Sequence, residues 1–188
     1  NENSKVLLGG DLEIDYNNRE GDRNLIKQVE NISTVSQIVE FSTMISTIEK
    51  KQNKTSFTRI KAIDQNYPLY GNVIFEPVGS LKKLNEIDNT ILVNENIFKN
   101  LNLKVNDIVK VQNVKFKVIG VVKVLPDIGG AFVFGDFALT GKKTLDKLEL
   151  NTLGSFLNYE YKIKFDDYKN KDKKINEIKK IFKNNDKV

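Results

Sequence analysis

The sequence predicts an α+β fold: a mixed α/β frame built from residues 1–85 and 148–188, carrying a small β-rich insertion at 86–147. Three observations lead there. The opening stretch reads strand, helix, strand, strand. The closing stretch reads strand, then amphipathic helix. Between them lies a block of short strands separated by tight polar turns. A chain of 188 residues suits one domain or two small ones, and its folding buries roughly 70% of the unfolded surface.

Lys5 to Asp15 reads as a strand, with Leu8, Leu12 and Ile14 on its apolar side and Gly9-Gly10 permitting a bulge. Asn17 to Asp22 is turn-like, and Asp22 fits an N-cap. Leu25, Ile26, Val29 and Ile32 then fall at helical spacing, which predicts a helix over 22–32. Thr34 to Ile48 alternates and is β-branched, so it reads as a long strand. After the polar turn at 49–55, Ser56 to Asp64 returns antiparallel to it. Tyr67-Pro68-Leu69-Tyr70-Gly71 punctuates the chain, because Pro restricts φ and Gly frees it. A short strand at Val73–Phe75 precedes a polar stretch that reaches Asn89.

The insertion begins with a strand at Thr90–Val93 and a helix capped by Asn94 that carries Ile97, Phe98 and Leu101. Strands at Asp107–Val111 and Val114–Leu125 follow, and their tight turns suggest a strongly bent sheet or half-barrel. Ile91, Val93, Phe98, Leu101, Val109, Phe116, Val118 and Val121 are expected to form a satellite core. It would join the frame through a limited junction near Val73–Phe75 and Phe137–Leu139, and move as a unit. Pro126 to Gly130 opens a loop holding Phe132, Phe134 and Phe137. Residues 142–150 read as a short helix, and Asn158 to Phe165 as a strand with Tyr159, Tyr161, Ile163 and Phe165 on one face. The last element is a helix from about 170 to 185, with Ile175, Ile178, Ile181 and Phe182 as its stripe.

Composition removes several classes of chemistry. With no His and no Cys, the chain cannot build His- or Cys-ligated zinc or copper sites, a Ser-His-Asp or Cys-His site, or a disulfide. Thirty Lys and Arg against 25 Asp and Glu give a net charge of +5. The excess grows along the chain: eleven basic and eleven acidic groups lie in 1–85, nine and seven in 86–147, ten and seven in 148–188. Only Arg19, Arg23 and Arg59 could make bidentate base contacts, so nucleic acid is not an expected partner. The C-terminal Lys run reads as a solvated helix face. No apolar stretch approaches the ~20 residues of a membrane span.

Candidate sites are few. Asp166-Asp167 would point to opposite faces of a strand, a poor placement for an acid–base pair. Asp11, Glu13 and Asp15 at i, i+2, i+4 would share a strand face; such a row can hold Ca²⁺ or Mg²⁺, but is more often solvated. Gly129, Gly130 and Gly135 lack the Gly-Lys-Ser/Thr of a phosphate cradle, and Ser155 after Gly154 has no base to activate it. No catalytic, cofactor or metal site is therefore assigned, and the domain is not expected to be an enzyme. Phe132 and Phe134, apolar groups on a glycine-flanked loop, are the candidate contacts for a partner or substrate. The alternative for both rings is core packing.

Several stretches carry a resemblance. Leu7-Leu-Gly-Gly-Asp-Leu-Glu-Ile is similar to the opening of the extracytoplasmic domain of YbbP-type ABC transporter permeases. Ile60-Lys-Ala-Ile-Asp-Gln-Asn-Tyr-Pro-Leu-Tyr-Gly resembles that domain's V-K-A-V-D-x-x-Y-P-L-x-G, the most specific match. Leu92-Val-Asn-Glu through Leu101-Asn-Leu-Lys-Val-Asn-Asp follows its V-x-x-x-L…L-x-L-x-x-G-D element. Val114-Lys-Phe-Lys-Val-Ile-Gly-Val-Val resembles the F-x-V-I-G-V strand shared with MacB-type and lipoprotein-releasing permeases of the wider FtsX/MacB-like superfamily. Asn106 stands where the family usually has Gly, and Gly135-Asp136 where it commonly has Pro and Arg.

The resemblance implies a MacB-like periplasmic core domain with a porter-like frame and a sabre-like insertion. It implies a place on the periplasmic side of the inner (cytoplasmic) membrane, in a multi-pass membrane protein. The implied function is non-catalytic: coupling ATP hydrolysis on a cytoplasmic ABC ATPase to periplasmic movement, for export or extraction of hydrophobic compounds. A periplasmic esterase or other partner protein is implied beside the ATPase, and no cofactor. The competing expectation is a free-standing lipid- or ligand-binding module, resting on Gly129–Phe137 and Tyr159–Phe165; a hydrolase resting on carboxylates alone is weaker. Because the chain starts at Asn1 without Met and stops at Val188 in a charged run, it is expected to be cut from a longer protein with apolar spans on both sides. Lys5 and the end of the Lys169–Asn185 helix are then expected on one membrane-proximal face.

Overall fold

A computed structural model describes residues 10–48, 53–126, 135–149, 157–166 and 168–182. Strand β1 (Leu12–Asn17) leads to α1 (Arg23–Glu30), whose N-terminus is capped as expected by Asp22, accepting from the N–H groups of Asn24 and Leu25. β2 (Thr34–Thr47) and β3 (Thr55–Ile63) form the predicted antiparallel pair. β4 (Ile74–Glu76), α2 (Ser80–Glu86), β5 (Thr90–Asn94) and α3 (Glu95–Asn100) follow. Asn94 caps α3 by accepting from the Ile97 N–H. β6 (Ile108–Val111), β7 (Val114–Val124) and β8 (Asp136–Gly141) precede a 3₁₀ turn at Lys142–Lys147. β9 (Asn158–Lys164) and α4 (Lys171–Ile181) complete the chain.

The nine strands among the described residues all belong to one sheet. Part of it closes on itself. β2 pairs β3, β3 pairs β8, β8 pairs β5, β5 pairs β7, β7 pairs β6, and β6 returns to β2. This is a six-stranded barrel, and closure removes the strand edges that a half-barrel would leave open. Its interior is filled by alternating residues, among them Phe41 and Ile45 of β2, Ile60 of β3, Val93 of β5, Val109 of β6 and Phe116 of β7. Ile97, Leu101 and Leu103 from the α3 region join the same core, as do Leu145, Leu148 and Leu157.

The first half of β2 extends beyond the barrel and pairs β9, which in turn pairs β1. α1 and α4 cover one face of this three-stranded extension, with Ile14, Tyr16, Val29, Ile163, Phe165 and Ile178 packed between them. A third cluster covers the outside of the barrel, where α2 brings Leu84 against Ile38, Leu92 and Leu139.

Four expectations change. The satellite core is not separate: all its residues but Val121 pack with Val39, Phe41, Ile45, Ile60 and Ala62 of the frame strands, because a short bent sheet buries its inner face only when the barrel closes. The junction is accordingly wide, running through β3–β8, β2–β6 and β4–β7 rather than through two short segments. The polar stretch before Asn89 contains α2, seven residues whose only apolar members are Leu81 and Leu84. Residues 136–141 are a strand rather than loop: Phe137, Ala138 and Leu139 are all buried because β8 is covered on both faces, which erases alternation. The final helix is described to Phe182, with Ile178 and Phe182 buried as its stripe predicts. Asn106 takes the left-handed backbone conformation, φ 78°, that Gly would occupy in the family pattern.

Candidate functional site

Phe132 and Phe134 lie outside the described residues, as do Lys5 and the residues after 182. Of the predicted loop aromatics Phe137 is described; it is buried in the cluster on the outside of the barrel. Asp166 is exposed, and its neighbour Asp167 is outside the described residues.

The carboxylate row at 11, 13 and 15 splits. Glu13 and Asp15 share a face with Glu160 of β9, and one oxygen from each lies within 4.8 Å of the others. The cation among them is a side chain: the Lys162 ammonium stands 2.5 Å from Glu13 Oε2 and 3.8 Å from Glu160 Oε2. Asp11 instead joins elements far apart in sequence. Its side chain is fully buried, and Oδ2 accepts from the Phe165 N–H at 3.0 Å and from the Tyr70 hydroxyl at 2.9 Å. The Lys171 ammonium approaches Oδ1 at 3.1 Å as an ion pair, outside hydrogen-bond geometry. Burial raises the Asp11 carboxyl, but the Phe165 N–H, the Tyr70 hydroxyl and Lys171 together outweigh it and hold the group below its ordinary value.

This clasp ties the start of β1 to the end of β9, the start of α4 and the turn after β3. Tyr70 belongs to the motif Tyr67-Pro68-Leu69-Tyr70-Gly71, which now has a structural account. Tyr67 is buried against the outer barrel cluster, Tyr70 reaches Asp11, Lys164 lies 5.0 Å over the Tyr70 ring, and Gly71 takes φ 72°. Sequence reasoning missed Tyr70 and Lys171 as partners of Asp11. They lie 59 and 160 residues away, where no periodicity reaches.

Among the described residues, β2 is the one strand in both parts of the sheet. Its first half pairs β9 from Thr34–Lys164 to Glu40–Asn158, and its second half pairs β3 and β6 in the barrel. Fourteen residues at about 3.3 Å each make it roughly 45 Å long. Beyond the extension, Met44 and Phe57 stand directly opposite each other on β2 and β3, and both are exposed. Two open clefts of about 530 and 460 Å³ share Asp64, Gln65, Asn66 and Asn85. Asp64 in them serves structure, accepting from Ser36 Oγ and from the N–H groups of Gln37 and Asn66. Lys142 lines one, its ammonium pushed below its ordinary value by burial against the opposing pull of Asp64, Glu20 and Glu30.

Among the described residues, no helix is long and apolar enough to cross a membrane. No curated protein matches the sequence. Solved structures do match the fold. A domain of a putative permease protein from Porphyromonas gingivalis is 11% identical with a TM-score of 0.56, covering 89% of this chain and 82% of that one. The extracellular domain of the noncanonic ABC-type transporter YknZ from Gram-positive bacteria is 12% identical with a TM-score of 0.54, covering 80% and 74%. The periplasmic region of MacB from Actinobacillus actinomycetemcomitans is 13% identical with a TM-score of 0.53, covering 95% and 88%. At those identities the likeness speaks for the fold alone. The sequence itself matches the family model of the MacB-like periplasmic core domain over residues 6–181, from before β1 to the last turn of α4, and the chain belongs to that family.

Proposed function

We propose that this domain is the non-catalytic coupling element of an ABC transporter permease on the periplasmic side of the inner membrane. ATP hydrolysis on a separate cytoplasmic subunit moves flanking membrane helices, and the domain turns that motion into displacement of the barrel during export or extraction of hydrophobic compounds. The observation that carries this reading, beside family membership, is the continuity of β2 between the β1–β9 extension and the barrel. Strands pulled along their length load all their ladder hydrogen bonds together, so the β1–β9–β2 ladders resist sliding. The Asp11 clasp adds a cross-tie at the start of β1.

In this reading residues 1–85 with 148–188 are the porter-like frame, and residues 86–147 the sabre-like insertion borne on it. Sharing a barrel, the two would move together. Phe132 and Phe134 are the proposed contacts for a substrate or for a periplasmic partner such as an esterase. Two experiments in the full permease test this. Asp11→Ala should lower transport-linked function while ATP hydrolysis continues, at a temperature where the domain stays folded. Unchanged transport would refute coupling through the clasp. Phe132→Ser with Phe134→Ser should also lower transport while leaving the domain's melting temperature nearly unchanged; a fall of many degrees would show both rings to be core.

A further inference from the structure

The face of the sheet opposite α1 and α4 carries charges withdrawn from water. The register places Glu13 opposite Lys162 and Asp15 opposite Glu160 on β1 and β9, and Glu40 opposite Lys61 on β2 and β3. Lys61, Glu160 and Lys162 are only 4%, 8% and 6% exposed. Two of these rungs join opposite charges: Lys162 Nζ to Glu13 Oε2 at 2.5 Å, and Lys61 Nζ to Glu40 Oε2 at 3.7 Å, with Arg59 Nε at 3.2 Å from Glu40 Oε1. The third sets two carboxylates directly across from each other. Asn158 Nδ2 donates to Glu160 Oε1 at 3.0 Å, but Asp15 Oδ1 is buried with no hydrogen-bond partner among the described residues.

Among the described residues, the charged groups acting on Asp15 and Glu160 are Glu13 from β1, Lys162 from β9, Glu40 from β2 and Lys61 from β3, and Arg59 of β3 pairs in turn with Glu40. Four carboxylates thus meet three cations. Like charges directly across a strand pair repel, and burial strengthens the repulsion. We propose that the Glu13–Asp15–Glu160 cluster holds one proton, carried on Asp15, and that its release loosens β1 from the sheet. A protonated Asp15 can donate to the carboxylates beside it and leaves three carboxylates for the three cations of this face.

The electrostatics agree with the geometry. Burial first, then Glu13 and Glu160, push the Asp15 carboxyl up to about 7 against the pull of Lys162. Burial pushes Glu160 up to about 7 despite Lys61 and Lys162, so the proton belongs to a coupled set. Between them the two groups hold a proton in the folded chain that the unfolded chain has released above about pH 4. The stability they contribute is therefore fully present below about pH 4 and lost as pH rises through about 7. This inference rests on the sheet alone and holds whether or not the domain couples transport.

Thermal unfolding of the 188-residue chain between pH 5 and 8 tests it. The melting temperature should fall by about 5 °C across that window. Asp15→Asn, neutral and still a donor, should flatten the fall to under about 2 °C and melt above the parent at pH 8. Backbone amides of β1 should exchange faster at pH 8 than at pH 5, after correction for the intrinsic rate. Parallel pH curves for parent and variant would overturn the proposal. If the variant does not fold, carboxyl-carbon NMR of the parent decides: an Asp15 midpoint above about 5.5 supports the proton, and one below it overturns it.

Discussion

Removing the Asp11 carboxylate is the most direct test of how the end of the sheet is held. Asp11→Ala would leave the Phe165 N–H without its Asp11 acceptor beside a fully buried ring, and would remove the Asp11 contacts of the Tyr70 hydroxyl and the Lys171 ammonium. Hydrogen bonds to charged groups contribute about 1.5–3 kcal/mol each, and breaking a buried pair costs about 3–5 kcal/mol. Tyr70 is half-buried and Lys171 is 24% exposed, so both regain water. The expected loss is therefore about 3 kcal/mol. For a chain of this length that lowers the melting temperature by about 6–12 °C. Tyr70→Phe should cost about 1 kcal/mol, and in the double variant the losses should fall short of additive because the two groups touch. The loss should also depend on pH. A carboxyl held below its ordinary value stabilises above about pH 4, and the gain disappears as pH falls through the folded value. Parent and Asp11→Ala should thus converge in acid. Circular dichroism melts at pH 7 and pH 2.5 measure both effects. A shift under about 2 °C at pH 7 would refute the clasp.

Other substitutions examine the rest of the fold. Gly120→Ala would place a Cβ 2.1 Å from the Glu76 carbonyl oxygen and 2.8 Å from Pro77 Cδ; backbone cannot yield that far, so denaturant unfolding should show a loss above about 2 kcal/mol, and an unaffected variant would mean β7 and the β4 turn do not meet so closely. Phe116→Ala, at a position 1% exposed inside the barrel, should cost about 3–5 kcal/mol, and a loss near 1 kcal/mol would argue against a filled barrel. Met44→Ser with Phe57→Ser, at positions 44% and 66% exposed, should change stability by less than about 0.5 kcal/mol each; a larger loss would put that rung inside the fold.

Much of the local structure is legible in the residues, for identifiable reasons. Asp22 and Asn94 announce helix starts because a short oxygen-bearing side chain satisfies backbone donors that the helix leaves free. β2 is legible end to end because Thr34 to Thr47 is β-branched and alternates through most of its length. α1 and α4 show their buried stripes at helical spacing. α2 is too short to show a period, and β8 is buried on both faces and shows none. The same contrast runs through the candidate sites. Glu13 and Asp15 were legible as one face of a strand, whereas Glu160 and Lys162 beside them depend on the β1–β9 register.

Residue order and composition are enough to read the α+β class, most element positions, the absence of His and Cys chemistry, and the family motifs from Leu7 to the Val114–Val122 strand. It takes the folded chain to see that residues 86–147 share a barrel with β2 and β3, that Asp11 ties β1 to Tyr70 and α4, and that two carboxylates face each other across β1 and β9. The reason is physical. Periodicity records how one segment divides its side chains between water and the interior, which each segment settles locally. Strand partners are settled by which edges and apolar faces remain uncovered once every segment is in place. That is a property of the whole chain, and it leaves no mark at any one position.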